Sequence, residues 1–316
     1  MKKTLVALLL CLISFLGGFI FHFLYPELQL SLKTKASQRR ELRKVLKLER
    51  ERFAEVTILG EKDMGSYVKR SLRFHWQGLF FDAFLLIPHG TKGKMAAILA
   101  LPGHHTSKEE VIGERNSRSG VDYGLKLVKA GFCVLAPDIP FVEDKQFEDH
   151  IALNLILAGS NLTGIRISCL GALIDYLSSL DFIDPKRFGC IGWSAGGGLA
   201  MYLAAVDKRV QVVAISSYFG TYRDTLMRLR TSTDNYIPGI LRFGEMADVA
   251  CLIAPRPLWL ELGEQDPEFP VEAFLKGIEA LKKCYTEFEE RFTWQLIPGG
   301  HRFGGEGIEQ WFERWL

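Results

Sequence analysis

The chain has 316 residues, 48% of them hydrophobic, and a formal net charge of +2. That is enough apolar material for one large domain with an appendage, and the near-neutral balance points away from a nucleic-acid partner. Six cysteines (Cys11, Cys133, Cys169, Cys190, Cys251, Cys284) show no C-x-x-C spacing; most sit in apolar runs and read as buried thiols, with a disulfide or a metal site as the alternatives.

The chain opens with Lys2 and Lys3, and no charged side chain follows until Glu27. As a helix, residues 4–25 would span about 33 Å, close to the hydrocarbon thickness of a bilayer. The apolar core is longer than that of a signal peptide, and no small-x-small site follows it. Residues 1–30 are therefore expected to form an uncleaved single-pass membrane anchor. Secretion or a periplasmic location after signal cleavage is the alternative. Residues 31–60 read as a basic linker helix. Between Lys33 and Arg52, nine basic residues stand against three acidic ones, as a solvated helix or one lying on anionic headgroups would have. The basic excess and Lys2-Lys3 pull topology in opposite directions.

Residues 61–316 read as one α/β domain. Two strands flanking Gln77-Gly78 form a predicted hairpin. Short apolar runs then alternate with helical patterns: MAAILALPG, GFCVLAPD, RFGCIGWS, VQVVAISSYF, RPLWLELGEQD and FTWQLIPGG are the strands. Near-continuous apolar runs fit parallel strands buried on both faces, and strand–helix alternation implies a mostly parallel twisted sheet with helices on both faces. Residues from about 220 to 248 break the pattern and read as an insertion over the strand ends. It carries Tyr222, Asn235, Tyr236 and Phe243, with Tyr218 just before it.

The strand-like runs end at Gly103, Asp138, Ser194, Asp266 and His301, the edge where open α/β sheets bind ligands. Gly192-Trp193-Ser194-Ala195-Gly196 is a G-x-S-x-G stretch between a predicted strand and a predicted helix, the context of a nucleophile elbow. Gly192 and Gly196 remove Cβ atoms that would clash in so sharp a turn. A serine hydroxyl needs a base; His301, in IPGGHRFGG, is the candidate. Asp266 is the preferred acid for the other ring N–H, with Glu264 as the fallback. Oxyanion donors are expected from the amides of Ala195 and His104. Trp193 and Tyr236 are candidate pocket residues. His104-His105 has no third ligand at a recognisable spacing, so no metal is expected, and the chemistry requires no cofactor.

These motifs resemble the α/β-hydrolases, more narrowly the acetyl xylan esterase-like and dienelactone hydrolase-like families. The resemblance runs from about Ser66 to the C-terminus and rests on PGHHTSKE, GFCVLAPD, the stretch DYLSSLDFIDPKRFGCIGWSAGGGLAMYLAAVDKRV, the stretch DNYIPGILRFGEMADVACLIAPRPLWLELGEQDPEFPVE, and PGGHRF. It implies the α/β-hydrolase fold, a triad of Ser194, Asp266 and His301, and cleavage of short-chain esters, often acetyl groups on sugars. Pro102-Gly103 stands where the family usually has His-Gly, and proline supplies no backbone N–H. The expected function is thus a serine esterase acting on small-molecule or carbohydrate esters. A peptidase or acyltransferase with the same triad, or a non-catalytic membrane-tethered binding module on the same fold, is the alternative.

Overall fold

A computed structural model describes residues 34–48, 55–90, 92–104, 106–116, 119–140, 145–229 and 231–316. The apolar segment 4–25, with the anchor expected there, lies outside the described residues, as does His105. The strands are β1 (Glu55–Asp63), β2 (Tyr67–Trp76), β3 (Leu79–Pro88), β4 (Met95–Leu101), β5 (Cys133–Pro137), β6 (Ile183–Trp193), β7 (Val210–Ser216), β8 (Leu258–Gly263) and β9 (Phe292–Ile297). They form one sheet in the order β1-β2-β3-β5-β4-β6-β7-β8-β9. The first three strands are antiparallel to one another, and β3 is antiparallel to β5. From β5 to β9 all pairing is parallel. The β2–β3 turn is the expected Gln77-Gly78 pair, with φ of 47° and 81°, as a two-residue primed turn requires.

The period of two sorts the apolar runs onto two faces. In β4, Met95, Ala97, Leu99 and Leu101 enter one core layer, while Ala96, Ile98 and Ala100 enter the other. The first layer is roofed by α4 (Leu162–Ser179), α5 (Ala195–Val206), α6 (Met246–Cys251) and α7 (Val271–Lys282). The second is roofed by α2 (Tyr123–Lys129) and α8 (Ile308–Trp315). Strand order reverses at β4: the chain goes from β4 to its neighbour on one side, β5, then crosses to β6 on the other. A crevice opens at such a switch point, at the carboxyl ends of the strands.

The N-terminal basic stretch corrects the expected boundaries. Helix α1 (Lys35–Val45) is docked on the domain, and β1 is an edge strand of its sheet. The α/β domain therefore includes residues from 34 onward, not only from 61. Leu42 and Leu46 are fully buried. Arg39 donates through Nε to the Ala205 carbonyl and through Nη2 to that of Leu252, at 2.8 and 2.9 Å. Lys35 Nζ donates to the Ala254 carbonyl at 2.8 Å. The first two acceptors close α5 and α6, where helix dipoles favour a cation. At Lys35 and Arg39 the basic pattern therefore serves internal docking rather than lipid headgroups.

Three further features depart from the main sequence reading. Helix α3 (Lys145–Leu157) stands in a stretch to which no element had been assigned. The insertion joins the core at its far end, where Phe243, Met246 and Val249 are buried. Cys251 and Cys284 form a disulfide, whereas Cys133, Cys169 and Cys190 are buried free thiols as anticipated. The bridge closes a loop of 33 residues, for which cross-linking is worth about 2–4 kcal/mol. Replacing both cysteines by alanine is expected to lower the urea-unfolding free energy by that amount, and reductant should reproduce the loss in the parent. Identical unfolding curves would refute the bond.

Candidate active site

Ser194 sits between β6 and α5 with φ 54° and ψ −125°, a region that L-residues seldom occupy. The crowding around it explains why its flanks are glycine. A Cβ on Gly192 would stand 2.1 Å from the Gly196 carbonyl oxygen, and one on Gly196 would stand 2.2 Å from that of Leu101. The turn is locked by the Ser194 amide donating to Ser216 O at 2.8 Å.

His301, in the loop after β9, brings Nε2 to 2.8 Å from Ser194 Oγ. Its Nδ1 lies 2.8 Å from Asp266 Oδ2. Asp266 follows β8, and its Oδ1 accepts the amides of Glu268 and Phe269 at 2.9 and 3.0 Å. One carboxylate oxygen is thus held by backbone, leaving the other for the imidazole. Glu264, the fallback acid, is exposed. The three side chains come from the carboxyl ends of β6, β8 and β9.

The His301 loop is fastened by groups the sequence did not single out. Glu261, 1% exposed on β8, accepts the Gly304 amide at 2.9 Å and that of Gly305. Ser217 Oγ donates to Arg302 O at 3.0 Å. Trp193 is buried, its ring 4.9 Å from that of His301, so it backs the imidazole as well as lining the cavity over Ser194.

That cavity holds about 420 Å³; Ser194, His301, His104, Thr106, Asn116 and Glu268 are among its walls. Apart from Trp193 the lining is polar. Tyr236 is placed elsewhere: its hydroxyl donates to Leu226 O, and it lines a separate apolar groove with Leu226 and Ile237. Tyr218, Tyr222 and Phe243 are packed inside. The candidate donor Ala195 opens α5, so its amide is among those with no intrahelical acceptor. His104 follows β4, the strand paired with β6.

The side chain of His104 has unexpected neighbours. Its Nε2 lies 3.2 Å from Asp234 Oδ2 and 3.3 Å from Glu148 Oε1. Arg166 donates to the same two oxygens, at 2.7 Å to Asp234 and 2.6 Å to Glu148. All three partners are nearly inaccessible. Burial by itself would lower the His104 pKa, but hydrogen bonds and charge from Asp234 and Glu148 outweigh it and push it up to about 9. Asp234 would be raised by burial; His104 and Arg166 bring it below the usual carboxylate range instead. Two cations therefore face two anions. His104, Glu148 and Asp234 could in composition and spacing ligate a metal, which the sequence did not suggest. A guanidinium already bridges the two oxygens concerned.

Because the folded His104 pKa is raised from 6.5 to about 9, its stabilisation is full below about pH 6.5 and fades as pH rises through about 9. Thermal unfolding from pH 6 to 10 is expected to show this decline, and His104→Gln should flatten it. An unchanged slope in the variant would contradict the assignment.

The signal for this cluster was present in GIRISCLGALIDYLSSL. A lone arginine inside an apolar helix demands a buried acid. Which acid could not be read, since Glu148 and Asp234 lie on α3 and in the insertion.

Comparison with known proteins identifies the family. The sequence profile of the dienelactone hydrolase family matches residues 81–289. The chain belongs to the dienelactone hydrolase family. This family member is a carboxylic ester hydrolase with the α/β-hydrolase fold. It is 27% identical over 215 residues to YtaP of Bacillus subtilis (strain 168), a protein named as a hydrolase by inference, covering 65% of this chain and 70% of that one. With YcjY of Escherichia coli (strain K12) it shares 28% identity over 40% of this chain and 36% of that one. Among solved structures it is similar to a Bacteroides fragilis protein named by inference as an acetyl xylan esterase, with a TM-score of 0.71, 17% identity and coverage of 83% and 74%. A glucuronoyl esterase from Solibacter usitatus gives a TM-score of 0.63 at 14% identity, covering 87% and 90%. These structural likenesses bear on the fold.

Proposed function

We propose that this family member hydrolyses short-chain esters of acetyl size, carried on polar alcohols such as carbohydrates, with Ser194 as nucleophile, His301 as base and Asp266 as its orienting acid. The observation that carries the reading is the unbroken chain Asp266–His301–Ser194, with both contacts at 2.8 Å. His301 Nε2 takes the Ser194 proton as Oγ attacks the acyl carbon. The tetrahedral oxyanion rests on the Ala195 and His104 amides at the positive end of α5. Collapse expels the alcohol with the proton from His301, and water repeats the sequence on the acyl-serine.

Support for a short acyl group and a polar leaving group comes from the small, polar cavity and from the acetyl xylan and glucuronoyl esterase names of the structural neighbours. The test is a p-nitrophenyl ester series on the full chain. Acetate is expected to have the highest kcat/KM, falling by at least about tenfold at octanoate, since a misplaced chain loses oriented contact. Equal or better turnover of octanoate, or none of acetate, would refute the reading.

We also infer that residues 4–25 tether the enzyme to a membrane. The Cys251–Cys284 bridge favours its oxidising side. Protease protection in intact cells distinguishes the two sides.

A further inference from the structure

Beside the polar cavity lies an apolar surface that ester chemistry does not use. Helix α3 ends in Ile151-Ala152-Leu153-Asn154-Leu155-Ile156-Leu157, yet its only buried residues are Glu148 and Ala152. Leu153 is 57% exposed and Leu157 87%. Across from them stand Met227, 65% exposed, and Tyr236, 42%. Leu153, Met227 and Tyr236 line a groove of about 1020 Å³ with Leu226 and Ile237. A surface helix normally turns its apolar side inward; this one presents it to the outside. Contiguous exposed apolar areas of this kind mark contact with another apolar phase.

Three observations select a bilayer as that phase. First, the chain carries an apolar stretch at 4–25, and only residues 26–34 separate it from α1. At about 3.3–3.6 Å per residue, that connector reaches at most roughly 32 Å. Helix α1 covers about 16 Å, and Lys47 just beyond its end lines the groove. A chain held at 4–25 therefore keeps the groove end of the domain within reach of the lipid surface. Second, Lys47 and Arg242 stand at the groove, both exposed and neither ion-paired to a described residue, as interfacial cations facing lipid phosphates would be. Third, Leu157 projects clear of the groove instead of lining it, a shape suited to insertion among acyl chains rather than to enclosing a small ligand.

We propose that this face rests on an anionic bilayer, with Leu153, Leu157, Met227 and Tyr236 at the headgroup–acyl boundary and Lys47 and Arg242 among the phosphates. This placement stands independently of the ester chemistry and rests on the membrane tether proposed for residues 4–25. It has a consequence for the site. The turn at 232–235 separates the two spaces: Ser232 lines the small cavity, and Thr233 and Asn235 line the groove. The same helix carries Glu148, which holds Arg166 and His104. A seated α3 would set the Ser194 cavity just above the lipid surface.

The test uses the full chain in a Cys11→Ser background, reconstituted into vesicles of phosphatidylcholine and phosphatidylglycerol. The remaining free cysteines are buried, so Leu157→Cys takes an environment-sensitive dye selectively. Glu313→Cys, exposed on α8 on the opposite roof of the sheet, is the reference. With bromine on the acyl chains, the Leu157 probe is expected to shift blue and to be quenched by roughly half or more, because interfacial helices sink about 5–10 Å. The Glu313 probe should be unaffected. Combining Lys47→Gln with Arg242→Gln should reduce the docked-to-undocked ratio by about fivefold per cation removed. A Leu157 probe that stays solvent-exposed, one that shifts blue without bromine quenching (the groove then being covered by protein), or equal quenching at both positions would each overturn the proposal.

Discussion

Ser194→Ala is expected to lower kcat for acetyl-ester hydrolysis by about 10⁴–10⁶-fold, with KM little changed and the fold intact. In the proposed mechanism the hydroxyl oxygen is the atom that bonds to the acyl carbon, and no neighbour replaces it. Thr106 and Asn116 share the cavity, but the Thr106 hydroxyl donates to Gly103 O at 2.9 Å and a carboxamide is no nucleophile. Alanine keeps the backbone contacts that fix the elbow, including the Ser194 amide bond to Ser216 O, so the loss would report chemistry rather than unfolding. The decisive measurement is labelling by a fluorophosphonate probe. The parent should react at one site and the variant should not. A variant that is still labelled, or a parent that ignores the probe, would remove Ser194 from the mechanism. Asp266→Asn should fall by about 10⁴-fold, since the amide would hold the wrong imidazole tautomer.

Arg166→Met is expected to destabilise the protein by about 3–5 kcal/mol, the cost of leaving buried charges without their counter-ion. In a domain of this size that amounts to roughly 5–8 °C in Tm. Glu148 and Asp234 would keep only His104 as a cationic partner among the described residues, and both are nearly sealed from water. Because His104 precedes a loop that lines the Ser194 cavity, kcat should fall with stability. Neutralising the orphaned acids in the triple variant Arg166→Met/Glu148→Gln/Asp234→Asn should recover part of the Tm, as removing a whole buried ionic set is often nearly neutral. A single variant melting within a degree of the parent would show that the cluster does not hold this region together.

Much of the architecture was legible because it is written in local patterns. Of the six runs that became β4 to β9, those of β4, β5 and β7 are nearly continuous because these parallel strands are buried on both faces, and the Gln77-Gly78 turn announces its hairpin. Ser194, Asp266 and His301 were legible for a related reason: each stands directly after such a run, and the elbow glycines are a requirement of sterics alone. Other features were misread where one-dimensional pattern and three-dimensional partner diverge. The basic residues of α1 looked like a lipid or solvent face; Arg40 and Lys44 are exposed, but Arg39 donates to the carbonyls that end α5 and α6. Tyr236 looked like a pocket aromatic, yet a short turn puts it on the other side of the wall from Ser194.

What the residue order determined by itself was the sheet, its active edge and the identity of the three groups that meet there, since backbone sterics, burial and chain order suffice for these. Only the tertiary structure decided which distant side chains pair in the dark: Arg166 with Glu148 and Asp234, Cys251 with Cys284, α1 with the ends of two helices. Such pairings depend on where elements pack rather than on their periodicity. A buried charge or thiol declares that it needs a partner, but the partner is chosen by proximity in space, which no local pattern encodes.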